Sequence, residues 1–97
     1  PAHHRAVLCL SDVQALGALF EAQRQGLSVP ADVSIMGFDN LEWSKVSSPG
    51  LTTMQLPAEE MGTTAAQALV GHLRDSETLS AIEVFAHVIE RGSIRDL

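Results

Sequence analysis

Length, composition and charge already exclude several classes of protein. The chain has 97 residues, which allows at most one modest domain, because typical domains contain about 100 to 150 residues. Apolar residues make up 45% of the chain and charged residues 19%. This composition suits a soluble domain with an apolar core and argues against intrinsic disorder. The net charge of −6 comes from scattered acidic residues. These residues are therefore not expected to grip a nucleic acid, because phosphate backbones require a clustered basic face.

The cysteine count, the apolar runs and the first residues restrict the class of protein further. Cys9 is the only cysteine, which excludes an internal disulfide and a thiolate-rich zinc site and favours a reducing compartment. The longest apolar run, residues 6–10, is far shorter than the roughly 20 residues of a membrane-spanning helix. The chain begins at Pro1 without a charged leader, which predicts no secretory signal and a fragment of a longer protein.

The first forty residues predict a strand, a helix and a second strand. Residues 5–10 are nearly all apolar, as expected for a strand buried on both faces of a parallel sheet. Ser11 and Gln14 have the spacing of a capping box, so a helix should begin here, and Gly26 should end it. Residues 33–38 give the second strand. Together these elements predict one right-handed βαβ unit with parallel strands.

The predicted helix has an apolar stripe that should face the core. Its members are Val13, Leu16 and Phe20, with Ala15 and Leu19 beside them. Cys9 lies between two leucines in the first strand. Its apolar surroundings predict core packing and a raised thiol pKa, and not a reactive thiol.

The second half predicts an irregular segment, an extended segment, a helix and a last strand. Residues 41–50 have no clear period and end in a Ser-Ser-Pro-Gly turn. Residues 51–56 should be extended, and Pro57 suits the first position of a helix. That helix should fade near Asp75. In residues 82–89, the side chains of Ile82, Val84, Ala86 and Val88 alternate with those of Glu83, Phe85, His87 and Ile89, which predicts the last, returning strand.

No residue pattern builds an active site, and none implies a cofactor. The sequence contains no common zinc, phosphate-loop or nucleophile-elbow motif. His3 and His4 are adjacent but have no further partners at metal spacing, so a ligand role is disfavoured. We expect neither a catalytic centre nor a bound metal.

Asp12 is the most informative polar residue. It stands just past the end of the first strand, and ligands of open α/β sheets bind outside the carboxyl ends of the strands. A carboxylate there can accept hydrogen bonds from two neighbouring sugar hydroxyls. Alternatively, Asp12 merely complements the helix dipole. Asp39 ends the second strand in the same geometric sense, where Asp-Asn turn chemistry is the favoured interpretation.

Three ordered blocks resemble the C-terminal part of lactose-repressor/galactose-repressor family transcription regulators. They are residues 7–17, residues 26–40 and residues 49–54, and residues 90–93 fit the family's ending. The resemblance implies an α/β fold: a partial parallel-sheet, Rossmann-like βαβ layer of a periplasmic-binding-protein-like domain, with segments from two lobes. Residues 1–53 would belong to the C-terminal lobe, residues 54–78 to the helix region of the N-terminal lobe, and residues 79–97 to the return strand. The DNA-binding headpiece would lie outside this chain.

The resemblance also implies an effector site. Asp12 matches the family's effector-binding aspartate, so its carboxylate is expected to point into a cleft between two moving lobes. Ser11 stands where asparagine is usual, Leu56 occupies the place of a glutamine, and Met61 aligns with an apolar pocket position.

A dimer surface is implied in the same way. The stretch that contains Leu41, Trp43 and Val46 corresponds to a surface used in family dimers. From the residues alone, Trp43 either covers a small core or stands at a protein contact. Elements drawn from two lobes cannot cover both faces of a parallel sheet, so apolar surface should stay open.

The function implied is that of a cytoplasmic, ligand-responsive repressor that is not an enzyme. It would form a homodimer, bind a small carbohydrate-like effector such as a sugar or nucleoside, and reach operator DNA only through the headpiece. One alternative is an extracytoplasmic sugar-binding protein of a transporter. A remote alternative is a small hydrolase built on Ser11 or Cys9 with His87, against which the missing nucleophile elbow argues.

Overall fold

The fold, seen in a computed structural model that describes residues 6–96, consists of two compact units. His3 and His4 lie outside the described residues. The elements in chain order are β1 (Ala6–Leu8), α1 (Asp12–Arg24), β2 (Ser34–Met36), α2 (Glu42–Val46), β3 (Thr53–Gln55), α3 (Ala58–Asp75) and β4 (His87–Ile89). The first unit contains the described residues up to Gln55 and from His87 onward, and the second contains Leu56–Ala86. Within residues 6–96 no helix has the length and apolar character needed to cross a membrane.

The first unit contains the predicted βαβ arrangement. β1 and β2 pair in parallel, with Leu8 opposite Met36. The hydrogen bonding continues beyond the strands, because the Cys9 N–H donates to the Met36 carbonyl and the Asp12 N–H donates to the Phe38 carbonyl, each at 2.9 Å. The start of α1 is thereby tied to the carboxyl end of β2.

The expectation that β1 is buried on both faces is wrong for this chain. Val7 is 38% exposed and Leu8 is 72% exposed. β2 is the strand that pairs with β1 in the described part of the chain, so one edge and much of the surface of β1 lack neighbours there. Open apolar surface was expected of such an arrangement, and this expectation is confirmed.

The N-terminus of α1 is capped largely as the sequence predicts. The Ser11 hydroxyl accepts a hydrogen bond from the Gln14 N–H at 3.2 Å. The Gln14 side chain reaches back, but it accepts from the Leu10 N–H at 3.1 Å and not from the cap residue itself. Two of the amides at this helix end are therefore satisfied by side chains.

The C-terminus of α1 is a Schellman motif around Gly26. This glycine has a φ of +84°, a conformation that costs other residues a steric penalty. Its N–H donates to the Gln23 carbonyl at 3.0 Å, and the Leu27 N–H donates to the Ala22 carbonyl at 2.9 Å. The predicted end of the helix is confirmed.

The core lies between α1, β2 and the start of the segment that leads into β3. Its buried apolar members are Ala15, Leu16, Leu19, Ile35 and Leu51. Two members of the predicted stripe are not part of it, because Val13 is 67% exposed and Phe20 is 56% exposed. Asp12 occupies the inner face of the helix instead, so the buried stripe is rotated relative to the prediction.

α2 is a short helix that the sequence did not predict. The Ser47 N–H donates to the Trp43 carbonyl at 3.2 Å, and the Ser44 N–H donates to the Leu41 carbonyl at 3.0 Å. Ser44 is fully buried. One helical turn is too short to show the 3.6-residue period on which the prediction relied.

The segments around β3 and β4 complete the first unit. β3 and β4 pair antiparallel, with Met54 opposite Val88. A parallel bridge also joins Met36 to Thr52. The fully buried Ser93 connects β2 to the residue that precedes β3. Its hydroxyl donates to the Ile35 carbonyl at 2.5 Å and accepts from the Thr52 N–H at 2.8 Å.

The second unit consists mainly of α3. Pro57 precedes the helix as its N-cap and is not its first residue, whereas the end at Asp75 is as predicted. No residue of α3 is buried. Residues 82–86 do not form the predicted strand, which is confined to β4. The units divide at Leu56 and His87, whereas the predicted lobes divide at residues 54 and 79, and the correspondence between units and lobes stays a prediction.

Candidate functional site

The carboxyl ends of β1 and β2 meet at one edge of the sheet, where Asp12 occupies the first turn of α1. The Asp12 side chain is fully buried. One carboxylate oxygen accepts a hydrogen bond from the Thr53 hydroxyl at 2.6 Å, and the other accepts from the Leu41 N–H at 2.7 Å. The expectation that this carboxylate faces an open cleft is wrong, because partners far along the chain enclose it.

The contacts of Asp12 give it a structural task. The Thr53 hydroxyl that donates to Asp12 also accepts from the Asn40 N–H at 3.3 Å. Asp12 therefore joins the start of α1 to β3 and to the bend formed by residues 39–41, which we call the 39–41 bend. Burying a carboxylate is costly unless hydrogen bonds and a helix N-terminus compensate it, and both are present here. That Asp12 also touches an effector stays a prediction, and it would require lone pairs beyond the two in use.

Gly37 allows Asp12 to lie where it does. A Cβ at this position would collide with the Asp12 carboxylate, and it would lie 3.0 Å from a Leu51 methyl and 3.1 Å from the Ala15 Cβ. Only glycine fits without displacing these neighbours. A glycine inside a predicted strand is a known signal of close approach, and this signal could have revealed that Asp12 packs inward.

Asp39 is the carboxylate at this edge that faces outward. It is exposed, its φ is +119°, and Asn40 follows with a φ of +60°. Its N–H donates to the Met54 carbonyl at 2.8 Å, which holds the bend against β3. Positive φ at a residue other than glycine costs about 1 to 3 kcal/mol, and such conformations cluster at binding sites. The turn chemistry that the sequence favours at Asp39 agrees with this bend, and an effector contact of either aspartate stays a prediction.

The remaining predicted site residues fall in different units. Ser11 is half-buried and its hydroxyl caps α1. Leu56 is half-buried and Met61 is 38% exposed, and both belong to the second unit. Ser11 thus lies at the same sheet edge as the two aspartates, whereas the parts assigned to Leu56 and Met61 stay predictions.

An open apolar groove of ≈ 710 Å³ lies between α1 and α2. Val13 and Phe20 line it from α1, and Trp43 and Val46 line it from α2. Trp43 and Val46 are each 72% exposed, so Trp43 does not cover a small core. Leu41, the third predicted contact residue, is 38% exposed. The exposed apolar side chains of α1 and α2 thus line one groove. Its role as a dimer contact stays a prediction.

The described residues show no constellation suited to the remote hydrolase alternative. Ser11 is engaged as a helix cap. Burial raises the pKa of the Cys9 thiol above its ordinary value, as the sequence predicts. Within residues 6–96 no group of three His, Cys, Asp or Glu side chains is placed to hold a metal ion.

The fold and the sheet edge define a periplasmic-binding-protein-like domain. Residues 1–94 match the family model described as a periplasmic binding protein-like domain, and the chain belongs to that family. The resemblance to lactose-repressor/galactose-repressor family regulators is also confirmed by individual relatives.

Two curated relatives are transcriptional repressors. The HTH-type transcriptional repressor CytR of Escherichia coli is 44% identical over 93 residues, which are 95% of this chain and 27% of that protein. The HTH-type transcriptional repressor PurR of Vibrio cholerae is 36% identical over 93 residues, which are 95% of this chain and 28% of that protein. The chain therefore spans little more than a quarter of the curated relatives it matches.

Solved structures agree with this assignment. A complex of the transcriptional regulator CelR with cellobiose superposes with a TM-score of 0.83 at 31% identity, covering 92% of this chain and 28% of that one. A LacI-family regulator from Arthrobacter sp. FB24 in complex with lactose gives 0.81 at 28% identity, covering 94% of this chain and 35% of that one.

Proposed function

We propose that this chain is the effector-binding and dimerisation part of a cytoplasmic, ligand-responsive transcription repressor. The observation that carries the proposal is the exposed Asp39 side chain, on a residue whose backbone has a positive φ, at the carboxyl ends of two parallel strands. Ligands of open α/β sheets bind at this edge. The names of the relatives favour a repressor over an enzyme and over a sugar-binding protein of a transporter.

The effector would be a small, hydroxyl-rich molecule such as a sugar or nucleoside. The Asp39 carboxylate can accept hydrogen bonds from two neighbouring hydroxyls, and Ser11 lies at the same edge. The buried Asp12 carboxylate holds the 39–41 bend in place by accepting a hydrogen bond from the Leu41 N–H. Cellobiose and lactose in the complexes of two structural relatives support a carbohydrate. Leu56 and Met61 would meet the less polar side of the effector.

Regulation requires that the effector distinguish two conformations. A ligand that binds both equally shifts nothing, however tightly it binds. The effector would therefore favour one arrangement of the lobes, and a homodimer would pass that arrangement to a DNA-binding headpiece elsewhere in the complete protein. The acidic residues of this chain would take no direct part in DNA binding.

The test of the effector site uses the complete protein and isothermal titration with cellobiose, lactose, adenosine and cytidine. Asp39→Asn should weaken binding of the active probe at least tenfold, which corresponds to about 1.4 kcal/mol. Asp32→Asn is the matched control, because Asp32 precedes β2 and its carboxylate accepts from the exposed Ser28 N–H at 2.7 Å. Equal affinity of Asp39→Asn and the wild type would place the effector elsewhere.

The test of the dimer surface is sedimentation equilibrium of the complete protein. Val46→Glu places a charge in the groove and should raise the dissociation constant of the dimer at least tenfold. Ala31→Glu adds the same charge to the exposed loop before β2 and should leave the association unchanged. If Val46→Glu associates as tightly as the wild type, the groove is not the contact.

A further inference from the structure

Arg91 follows β4, and its guanidinium reaches three other parts of the first unit. One terminal nitrogen donates to the Leu51 carbonyl at 2.8 Å and to the Ser44 hydroxyl at 3.0 Å. The other donates to the Asn40 side-chain oxygen at 2.7 Å. The Arg91 backbone is itself fixed, because its N–H donates to the Thr52 hydroxyl at 2.9 Å, which in turn donates to the Arg91 carbonyl at 3.2 Å. Hydrogen bonds therefore fix Arg91 both at its backbone and at its guanidinium.

All of these acceptors are neutral. In residues 6–96 the ion pairs join Arg24 to Glu21 and Lys45 to Glu42, and Arg91 has no carboxylate partner there. The half-buried guanidinium therefore acts here through the directions of its hydrogen bonds to neutral acceptors. A planar fork can meet several acceptors at fixed angles, whereas the ammonium of a lysine cannot reproduce this pattern.

The acceptors of Arg91 belong to two surfaces of different predicted use. Asn40 is part of the 39–41 bend and directly follows the exposed Asp39 carboxylate. Ser44 is the buried centre of α2, next to Trp43 on the groove. Its hydroxyl also donates to the Leu41 carbonyl at 2.5 Å. One side chain therefore holds both the bend and the helix.

We propose that Arg91 is a positioning residue that couples the 39–41 bend to α2, so that displacement of the bend is passed to the groove. The proposal rests on the proposed function for its biological use: an effector at Asp39 would alter the association of two copies through this link. The physical basis is a contiguous set of hydrogen bonds between two segments, and coupling through it must be shown by non-additivity.

The first measurement needs no effector. Hydrogen exchange is followed in the complete protein for Arg91→Gln, for Arg91→Lys and for the control Arg95→Gln, which makes the same charge change at an exposed arginine four residues later. Arg91→Gln should raise exchange of the Ser44 and Ser47 amides at least tenfold and leave the interior of α1 within twofold. Arg91→Lys should restore part of this protection. Acrylamide quenching of Trp43 should increase in parallel.

The second measurement is a double-mutant cycle on the dissociation constant of the dimer. Asn40→Gly removes one acceptor from the bend, keeps a residue that tolerates the φ of +60°, and should raise this constant at least threefold in the wild-type background. It should add nothing in the Arg91→Gln background, because the link is already broken. Asn40→Gly keeps Arg91 in place, so the cycle's first arm remains informative if Arg91→Gln fails to fold.

Three results would overturn the proposal: α2 and α1 losing protection in step, Arg91→Gln behaving like Arg95→Gln, or additive effects of the two substitutions. Failure of the proposed function looks different. In that case the wild type binds none of the sugar or nucleoside probes and does not dimerise through the groove. The exchange of the α2 amides would still decide whether Arg91 orders this helix.

Discussion

Replacing Asp12 by alanine should destabilise the first unit strongly. The substitution leaves the Thr53 hydroxyl and the Leu41 N–H without their acceptor, and the first of these bonds is fully buried. An unsatisfied buried donor costs about 1 to 3 kcal/mol. Because the Leu41 bond is only partly buried, we expect a loss of about 2 to 4 kcal/mol in the free energy of unfolding.

The assay is urea unfolding of the complete protein, followed by Trp43 fluorescence and, in parallel, by hydrogen exchange of the Leu41 amide. Trp43 lies on α2 and reports on the unit that Asp12 holds together. Asp32→Ala is the control, because it removes one exposed bond from a carboxylate to a backbone N–H and should cost less than about 1 kcal/mol. Thr53→Val, combined with Asp12→Ala, should show a coupling of about 1 to 3 kcal/mol.

The reasoning would be refuted by an Asp12→Ala variant that unfolds at the same urea concentration as Asp32→Ala. The same conclusion follows if the effects of Asp12→Ala and Thr53→Val simply add. Either result would mean that the carboxylate is not held by these partners, and a direct contact with the effector would regain priority for Asp12.

Three further outcomes follow from the packing. Gly37→Ala should lower the midpoint of thermal unfolding, with a cost of about 1 to 3 kcal/mol, because the added Cβ meets the Asp12 carboxylate and its neighbours. Gly62→Ala, which meets nothing within 4 Å in α3, should instead stabilise the helix by about 0.5 to 1 kcal/mol in the same scan. Burial raises the pKa of the Cys9 thiol, so alkylation by iodoacetamide should reach half its maximal rate at higher pH in the folded protein than in urea. The stability that comes from burying the neutral thiol is present below the unfolded pKa and is lost as the pH rises through the folded pKa.

The sequence predicts what local chemistry determines. Ser11, Gln14 and Gly26 set the ends of α1 through contacts within a few residues, and the parallel pair follows from the spacing of its strands. α2 escaped prediction because a single turn has no measurable period. β4 is shorter than the alternating pattern suggested, because His87–Ile89 alone pair with β3.

Local sequence does not distinguish the buried Asp12 from the exposed Asp39. Asp12 and Asp39 each follow a strand, so the spacing alone places both at the same edge of the sheet. Their difference comes from partners 29 and 41 residues from Asp12, namely Leu41 and Thr53. Such contacts appear only when β3 is placed beside β2, and neither periodicity nor spacing reveals that placement. The contacts of the Arg91 guanidinium, which span 40 to 51 residues, could not be predicted for the same reason.

The buried Ser93 hydroxyl has a consequence for synthesis. It joins the Ile35 carbonyl to the Thr52 N–H, partners that lie 58 and 41 residues earlier in the chain. During translation the Ile35 carbonyl and the Thr52 N–H cannot form these hydrogen bonds until the segment around residue 93 has left the ribosomal tunnel. The first unit therefore closes late, and a nascent chain that stalls before this serine exposes an unfinished sheet to chaperones and proteases.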